Sequence, residues 1–233
     1  MEDVFGLACK AYFDGDKDAV ITVNTNLTED EEIPCTYLFR SFEEMPEFEQ
    51  YTMPLCKGKV LDIGAGVGPH AYYLQSKNID VTALEPSALC CEIMQQRGIK
   101  NIANTTLESY NPESKFDTIL LLMNGIGLAG KIDNLQKFLF KLKSLLSEKG
   151  KIYLTSADIA YMFIEEDGSM DIDLNGGYYG EMEYETSFNG NIANYDWLYL
   201  NADILFMHAE EVGLKGEVIS QTEDGDYLAV LSL

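Results

Sequence analysis

One segment, residues 59–68, constrains the fold of this chain more than any other. It reads Lys-Val-Leu-Asp-Ile-Gly-Ala-Gly-Val-Gly, so a short apolar strand runs directly into alternating glycines, and a helical pattern follows. Glycine permits a left-handed backbone and lets a ligand approach where a Cβ atom would block it. Strand, glycine-rich loop and helix form the unit with which doubly wound α/β domains bind adenosine-containing cofactors. The segment therefore predicts such a domain.

The glycine spacing separates the cofactor classes. Dinucleotide folds favour Gly-x-Gly-x-x-Gly, in which a helix N-terminus receives a pyrophosphate. Here the glycines alternate, Pro69 stands where a dinucleotide fold places its third glycine, and Asp62 lies at the end of the strand. This pattern resembles the first motif of class I S-adenosylmethionine-dependent methyltransferases. Two alternatives stay open, namely a non-catalytic S-adenosylmethionine-binding module and an NAD-dependent oxidoreductase.

The order of apolar segments predicts a parallel sheet that ends in a hairpin. The expected parallel strands are 60–63, 80–84, 101–104, 116–123 and 151–155. Lys149 and Gly150 are predicted to end a helix over 133–146, and a hairpin formed by 217–221 and 227–231 closes the chain. A parallel core with an antiparallel terminal hairpin is similar to the Rossmann-like, seven-stranded α/β sheet of the methyltransferase family.

Two segments fall outside this alternation. Residues 1–57 predict an N-terminal helical cap over the cofactor cleft, and 58–233 form the predicted S-adenosylmethionine-binding domain. Within that domain, an insertion over about 157–200 contains an alternating segment, the turn dipeptide Asn189-Gly190 and a second extended segment. Asn-Gly between alternating segments predicts a β-hairpin.

Charge and cysteine usage narrow the choice of partners. The 233 residues include 39 acidic and 16 basic side chains, for a net charge of −23, which argues against a nucleic-acid substrate. The sequence contains no run of eighteen apolar residues, so it predicts no membrane span. Five cysteines without a Cys-x-x-Cys pair indicate reduced thiols in a cytoplasmic protein, with no metal site. The acidic stretch 165–173 lacks the ligand spacing of an EF-hand. Nothing in the sequence indicates an oligomeric state.

The resemblance implies a cofactor site at the ends of the predicted strands. Glu85 ends the second strand, where a carboxylate can accept hydrogen bonds from both ribose hydroxyls. Asp62 is expected beneath the methionine portion, Asn104 and Thr105 near adenine, and Met123 and Asn124 where cofactor and acceptor meet. The glycine-motif residues of the expected cofactor site are Gly64, Ala65, Gly66 and Gly68.

Arg40 and His70 are further candidates for the cofactor carboxylate. The planar guanidinium of Arg40 suits a carboxylate, and the alternative for Arg40 is a surface ion pair with Glu43 or Glu44. The alternative for His70, at the start of the first helix after the glycines, is a solvated helix-end histidine.

The expected reaction is methyl transfer from S-adenosylmethionine to a small-molecule acceptor, which leaves S-adenosylhomocysteine. Such a displacement depends mainly on alignment, so a conspicuous catalytic group is not required. If a base is needed, the candidates are Asp158, Tyr161, Tyr184, Tyr195 and Asp196, each with a structural role as its alternative. Residues 161–197 hold nine acids and no Lys or Arg, which favours an amine acceptor; a solvated acidic hairpin is the alternative.

Overall fold

The computed structural model describes residues 2–164 and 177–233. The α-helices in these residues are α1 (Val4–Asp14), α2 (Cys35–Leu38), α3 (Glu47–Thr52), α4 (Pro69–Ser76), α5 (Ala88–Gln96), α6 (Ile132–Leu145) and α7 (Ala202–Glu211). The strands are β1 (Val20–Thr25), β2 (Glu31–Pro34), β3 (Lys59–Ile63), β4 (Asp80–Leu84), β5 (Asn101–Ala103), β6 (Phe116–Leu121), β7 (Leu146–Ala157), β8 (Glu181–Phe188), β9 (Asn191–Leu198), β10 (Lys215–Gln221) and β11 (Asp226–Ser232). The acidic stretch 165–173 lies outside the described residues.

Seven strands form the central sheet, in the order β10-β11-β7-β6-β3-β4-β5. Strands β3 to β7 pair in parallel, whereas β11 runs antiparallel to both β7 and β10. The predicted Rossmann-like seven-stranded sheet with an antiparallel terminal hairpin is therefore confirmed. The chain runs outward from β3 to β4 and β5, and then returns to place β6 on the other side of β3.

Both faces of the central sheet are buried, as a parallel sheet requires. Successive strand residues point to opposite faces. Leu61 and Ile119 therefore join the apolar cluster beneath α6 and α7, while their neighbours Val60 and Leu120 join the cluster beneath α4. This double burial explains why these strands read as continuous apolar runs in the sequence.

A second sheet has the order β2-β1-β8-β9, and its strand β9 packs against the turn that follows β6. The predicted inserted hairpin forms β8 and β9, and its Asn189-Gly190 turn has φ angles of 49° and 83°, as a tight hairpin turn requires. Residues 1–57 contain the expected helices and also β1 and β2, which the sequence analysis did not predict. Strand β1 is stabilised by β8, more than 150 residues away in the chain, so local sequence carries little signal for it.

The boundary between α6 and β7 differs from the prediction. Helix α6 ends at Leu145, and β7 begins at once with Leu146, which pairs with Phe116. The register shifts between Phe116 and Thr118, so Lys149 and Gly150 lie inside an irregular strand and do not end a helix. A Cβ atom at Gly150 would lie 2.7 Å from Leu146 Cδ1, so the glycine makes room for this irregularity.

Membrane-spanning helices and metal clusters are both absent from the described part of the chain. In 2–164 and 177–233, no helix has the length and apolar character needed to cross a bilayer. In the same ranges, no three His, Cys, Asp or Glu side chains are arranged to hold a metal ion.

Candidate functional site

The candidate site lies at the carboxyl ends of β3 and β6. These neighbouring strands continue into loops that leave in different directions, because the chain order reverses between them. In open α/β sheets, a crevice at this switch point is where ligands bind. The sequence-predicted residues at the ends of β3, β4, β5 and β6 are therefore brought to one edge of the sheet.

The glycine loop holds its shape through main-chain bonds to β4. The amides of Gly64 and Ala65 both donate to the carbonyl oxygen of Leu84, at 3.0 and 3.2 Å. Gly64 and Gly66 have φ angles of 69° and 54°, which non-glycine residues rarely adopt. A Cβ atom at Gly66 would meet nothing within 4 Å, and one at Gly64 would meet only Leu128, at 3.5 Å. The main chain of the loop is thus open to a ligand.

Glu85 connects this loop to the start of α5. Its Oε2 accepts from the Gly66 amide at 2.8 Å, and its Oε1 accepts from the Ser87 amide at 2.9 Å. The side chain is 8% exposed, and burial raises the pKa of its carboxyl. Each carboxylate oxygen can accept more than one hydrogen bond, so capacity for a ligand hydroxyl remains.

Asn104 ties the end of β5 to the end of β4. Its Nδ2 donates to the carbonyl oxygens of Glu85 and Pro86, both at 3.0 Å. These two hydrogen bonds fix the orientation of the Asn104 side-chain amide. Its Oδ1 can then accept a hydrogen bond from a ligand. The adjoining Thr105 lines a cavity of about 640 Å³, the glycine-loop cavity, together with Gly64, Pro86 and Leu128.

The turn after β6 is strained. Met123 and Asn124 are consecutive non-glycine residues with left-handed φ angles of 55° and 52°. Each such residue costs on the order of 1–3 kcal/mol, and this strain is concentrated at functional sites. The backbone N–H of Asn124 donates to Thr155 Oγ1 at 2.9 Å. The buried side-chain Oδ1 of Asn124 has no hydrogen-bond partner among the described residues.

Arg40 and His70 have partners that the sequence did not indicate. The Arg40 guanidinium is 4% exposed and donates to both carboxylate oxygens of Glu49, so the predicted surface pair with Glu43 or Glu44 is wrong. His70 is 6% exposed and also contacts Glu49, so the expectation of a solvated histidine is wrong too. Neither group could be assigned from sequence spacing, because Glu49 stands in no motif.

A second cavity, the acceptor-side cavity, lies beside the strained turn and has a volume of about 410 Å³. The cap, β7, the segment after β9 and the terminal hairpin all contribute to its wall. Its lining includes Tyr37, Glu47, Glu49, Met123, Asn124, Thr155, Ser156, Tyr199 and Asp226. Sequence reasoning found only the two turn residues of this set, since the others come from segments that meet only in the folded chain.

Three of the proposed base candidates lie in the inserted hairpin. Tyr184 shares a hydrogen bond of 2.7 Å with the hydroxyl of Tyr199, and Tyr195 stacks on Tyr184 with ring centroids 5.6 Å apart. Burial raises the pKa of both Tyr184 and Tyr195. Asp196 lies 3.5 Å from the ammonium group of Lys131. None of these three lines the acceptor-side cavity, but Tyr184 contacts its lining residue Tyr199.

The remaining two candidates follow β7. Asp158 Oδ1 accepts from the Tyr179 hydroxyl at 2.7 Å and from the Ala160 amide at 3.0 Å. Tyr161 is 59% exposed. Among the described residues, the lining of the acceptor-side cavity includes none of the five base candidates, although Asp158 directly follows its lining residue Ala157.

Comparison with known proteins gives close structural relatives. No protein-family model and no curated protein matches the sequence. The fold is similar to a SAM-dependent methyltransferase from Bacteroides fragilis crystallised with S-adenosyl-L-homocysteine, with a TM-score of 0.91 and 35% identity over 99% of this chain and 94% of that one.

Two more distant structures share the fold. An S-adenosylmethionine-dependent methyltransferase from Clostridium acetobutylicum has a TM-score of 0.59 and 12% identity, over 83% of this chain and 92% of that one. The sugar N-methyltransferase KedS8 from Streptoalloteichus has a TM-score of 0.55 and 14% identity, over 79% and 87%.

Proposed function

The chain belongs to the class I S-adenosylmethionine-dependent methyltransferases, and from this premise we propose that its acceptor is a small molecule bearing an amine, bound in the acceptor-side cavity. The protein is an enzyme of that class, with S-adenosylmethionine as methyl donor and S-adenosylhomocysteine as product. The acceptor and the site residues are the proposed part.

The cofactor crevice fits this donor in its open main chain and its free acceptors. The loop at Gly64 and Gly66 leaves space at the Cβ positions, and Asp62 Oδ2 and Asn124 Oδ1 are buried acceptors without partners in the described residues. The residues assigned to the cofactor are Asp62, Gly64, Ala65, Gly66, Gly68, Glu85, Asn104, Thr105, Met123 and Asn124. Arg40, the further candidate for the cofactor carboxylate, is not assigned to it because its guanidinium donates to Glu49. When bound, S-adenosylmethionine supplies the sulfonium methyl group.

The lining of the acceptor-side cavity supports an amine. Among its described residues it contains the carboxylates of Glu47, Glu49 and Asp226, two tyrosines and no Lys or Arg. Carboxylates and aromatic faces both attract a cation. A volume of about 410 Å³ suits a small molecule. This lining is the single observation that carries the proposal.

The chain's own contribution to the chemistry is alignment and proton uptake. Holding the two reactants in line can supply about 7–11 kcal/mol of the barrier reduction in well-oriented systems. An amine that accepts a methyl group must also release a proton. The rim carboxylates of Glu47 and Asp226 are the acidic groups placed to take up that proton, while Glu49 is already paired with Arg40.

Paired acceptors test this proposal. Mass spectrometry would compare primary amines with their N-acetylated counterparts, which have the same skeleton without the basic nitrogen. We expect methylation of amines only; turnover of neutral or anionic acceptors with no amine reacting would overturn the proposal.

Two charge-neutral variants address the cavity itself. Glu47→Gln and Asp226→Asn should each raise the amine KM, by about tenfold if one ion pair worth about 1.4 kcal/mol is lost. Glu217→Gln is the matched control, because Glu217 is an exposed acid of β10 outside the lining. Equal effects of all three variants would point to overall charge and not to this cavity.

The thiols support a reducing compartment. All five cysteines lie in the described residues, where they are buried and free. We infer a cytoplasmic location from this usage, and quantitative thiol labelling of unfolded protein from its native source would reveal any disulfide.

A further inference from the structure

Four charged side chains form a buried chain from the cap to the end of β3. Arg40 Nη2 lies 2.7 Å from Glu49 Oε1, and His70 Nε2 lies 2.9 Å from Glu49 Oε2. On its other side, His70 Nδ1 lies 3.7 Å from Asp62 Oδ1. All four residues are at most 6% exposed. We call this set the buried charge chain.

The charges alternate along this chain. Burial works to lower the pKa of His70, but contacts with Asp62 and Glu49 outweigh it and raise the pKa to about 9. Burial also works to raise the pKa of Glu49, and His70 with Arg40 outweighs it, so the pKa falls. The two neighbouring carboxyl groups thus favour the imidazolium form of His70, and the imidazolium in turn favours the carboxylate form of Glu49.

Stability alone is a weak reason for such a chain. Desolvating several charges costs free energy that ion pairing often only offsets, and a well-packed apolar cluster would serve as well. Asp62, at one end of the buried charge chain, lies in β3 just before the glycine loop, and Glu49 lines the acceptor-side cavity. The location of the chain therefore points to the site and not to the core.

One atom of the chain is left without a partner. Asp62 Oδ2 is buried and accepts no hydrogen bond from the described residues, although Asp62 stands just before the glycine loop. A buried carboxylate oxygen in this state has a strong requirement for a donor. The α-ammonium group of the cofactor's methionine portion is a donor of the right charge.

We propose that His70, Glu49 and Arg40 are positioning residues that hold the Asp62 carboxylate so that its Oδ2 receives the methionine ammonium group. The proposal rests on the proposed cofactor contact of Asp62. His70 fixes Oδ1, Glu49 fixes the imidazole, and Arg40 fixes Glu49. Because Glu49 also lines the acceptor-side cavity, the same chain links the cofactor end of the site to the wall that faces the acceptor.

Two amide variants separate the two nitrogens of His70. In His70→Asn, the short side-chain amide would stand near the Nδ1 position and retain a donor towards Asp62. In His70→Gln, the longer side chain would retain the donor towards Glu49 only. His208, the other histidine of the chain, provides the control His208→Gln on α7.

The readout is calorimetric affinity for two ligands. S-adenosylhomocysteine carries the amino-acid portion, and 5′-methylthioadenosine lacks it. We expect His70→Gln to weaken S-adenosylhomocysteine about tenfold or more, as the loss of an ionic contact that holds a buried carboxylate would, with 5′-methylthioadenosine unchanged. His70→Asn should stay within about threefold of wild type for both ligands, since it keeps a donor towards Asp62.

Three outcomes would overturn the proposal: equal losses for both ligands in His70→Gln, no loss at all, or equal behaviour of the two His70 variants. If His70→Gln does not fold, as thermal unfolding would reveal, Glu49→Gln decides by the same criterion of ligand-selective loss. Asp62→Asn distinguishes a failure of the positioning chain from a failure of the cofactor contact of Asp62. A selective loss there without one in the His70 variants rejects the positioning chain alone, while no selective loss in Asp62→Asn rejects the cofactor contact of Asp62 as well.

Discussion

At the scale of single residues, Glu85 combines a structural role and a proposed binding role. Its two oxygens hold the Gly66 and Ser87 amides, so the acid shapes the glycine loop that it shares with the ligand. The cap adds to this arrangement, since Asp3 accepts from the Ser87 hydroxyl at 2.6 Å. Sequence spacing indicates the acid, but not its bonds to the loop.

Replacing Glu85 should therefore affect both the loop and the cofactor. We expect Glu85→Gln to weaken S-adenosylmethionine binding by at least about tenfold, because a charge-assisted acceptor becomes a neutral one. Isothermal titration calorimetry gives the affinity. Glu92→Gln, an exposed acid of α5, is the control, and unchanged binding in Glu85→Gln would argue against the ribose assignment.

The charge on His70 predicts a specific pH dependence of stability. Its pKa is about 9 in the folded protein, against an ordinary value of 6.5. Because the folded value is the higher one, the stabilisation is complete below about pH 6.5 and is lost as the pH rises to about 9.

Urea unfolding of wild type and His70→Gln at pH 6, 7.5 and 9 measures this effect. The difference in free energy of unfolding between the two proteins should shrink by up to about 3 kcal/mol over that range, at about 1.4 kcal/mol per pKa unit. His208→Gln, which replaces the other histidine of the chain, is the control. A pH-independent difference would mean that the pKa of His70 is the same in the folded and the unfolded protein.

At the scale of elements, the inserted hairpin docks on the short helical turn after β6 (Gly125–Ala129) through one close approach. A Cβ atom at Gly127 would lie 2.2 Å from Cε2 of Trp197, so only glycine lets β9 pack here. The same turn follows the strained residues Met123 and Asn124. The hairpin thus supports the turn that separates the two cavities.

Gly127→Ala should destabilise the protein by about 1–3 kcal/mol, the usual cost of overpacking a buried contact. Trp197 is the only tryptophan, so its fluorescence reports on hairpin docking during urea unfolding. The double variant with Trp197→Leu should lose less stability than the sum of the two single variants, because the smaller side chain leaves room. Circular dichroism gives the free energy of unfolding for all four proteins, since the Trp197→Leu variants lack the tryptophan. Strict additivity would show that the two residues do not interact.

At the scale of the whole molecule, segments from distant parts of the chain, namely the cap, β7, the segment after β9 and the terminal hairpin, enclose the acceptor-side cavity. The net charge of −23 gives the protein a negative electrostatic potential in the surrounding solvent. A cationic acceptor would be attracted from a distance, and salt screens that attraction with a Debye length of about 10 Å at 0.1 M.

The KM for an amine acceptor should therefore rise with ionic strength. Between about 0.02 and 0.5 M NaCl we expect an increase of about threefold or more for the amine, because long-range attraction is screened. Because S-adenosylmethionine is itself a net cation, the reference is the inhibition constant of the zwitterionic product S-adenosylhomocysteine, and kcat should change little. A KM that stays constant across the series would speak against a cationic acceptor.

Much of the fold follows from local patterns. The apolar runs, the alternate glycines and caps such as Ser87, whose hydroxyl oxygen accepts from the Cys90 amide, act within a few residues. By contrast, β1 gains its hydrogen bonds from β8, and Leu146 joins β7 because it pairs with Phe116. Such contacts form only after the chain has collapsed. The local sequence therefore predicted a helical cap without β1 and β2, and it assigned the end of α6 to Lys149 and Gly150.

Local sequence was sufficient to predict the family and the cofactor class of this protein, because the glycine loop after β3 and the acid after β4 stand at fixed spacings in one stretch of the chain. The acceptor side depends on the folded chain. Tyr37, Glu49, Tyr199 and Asp226 lie far apart in the sequence and in no motif, yet one cavity brings them together. The contacts of Arg40 and His70 with Glu49 also depend on the folded chain. Burial removes water from these groups, and a buried charged group is stable only beside a partner of opposite charge.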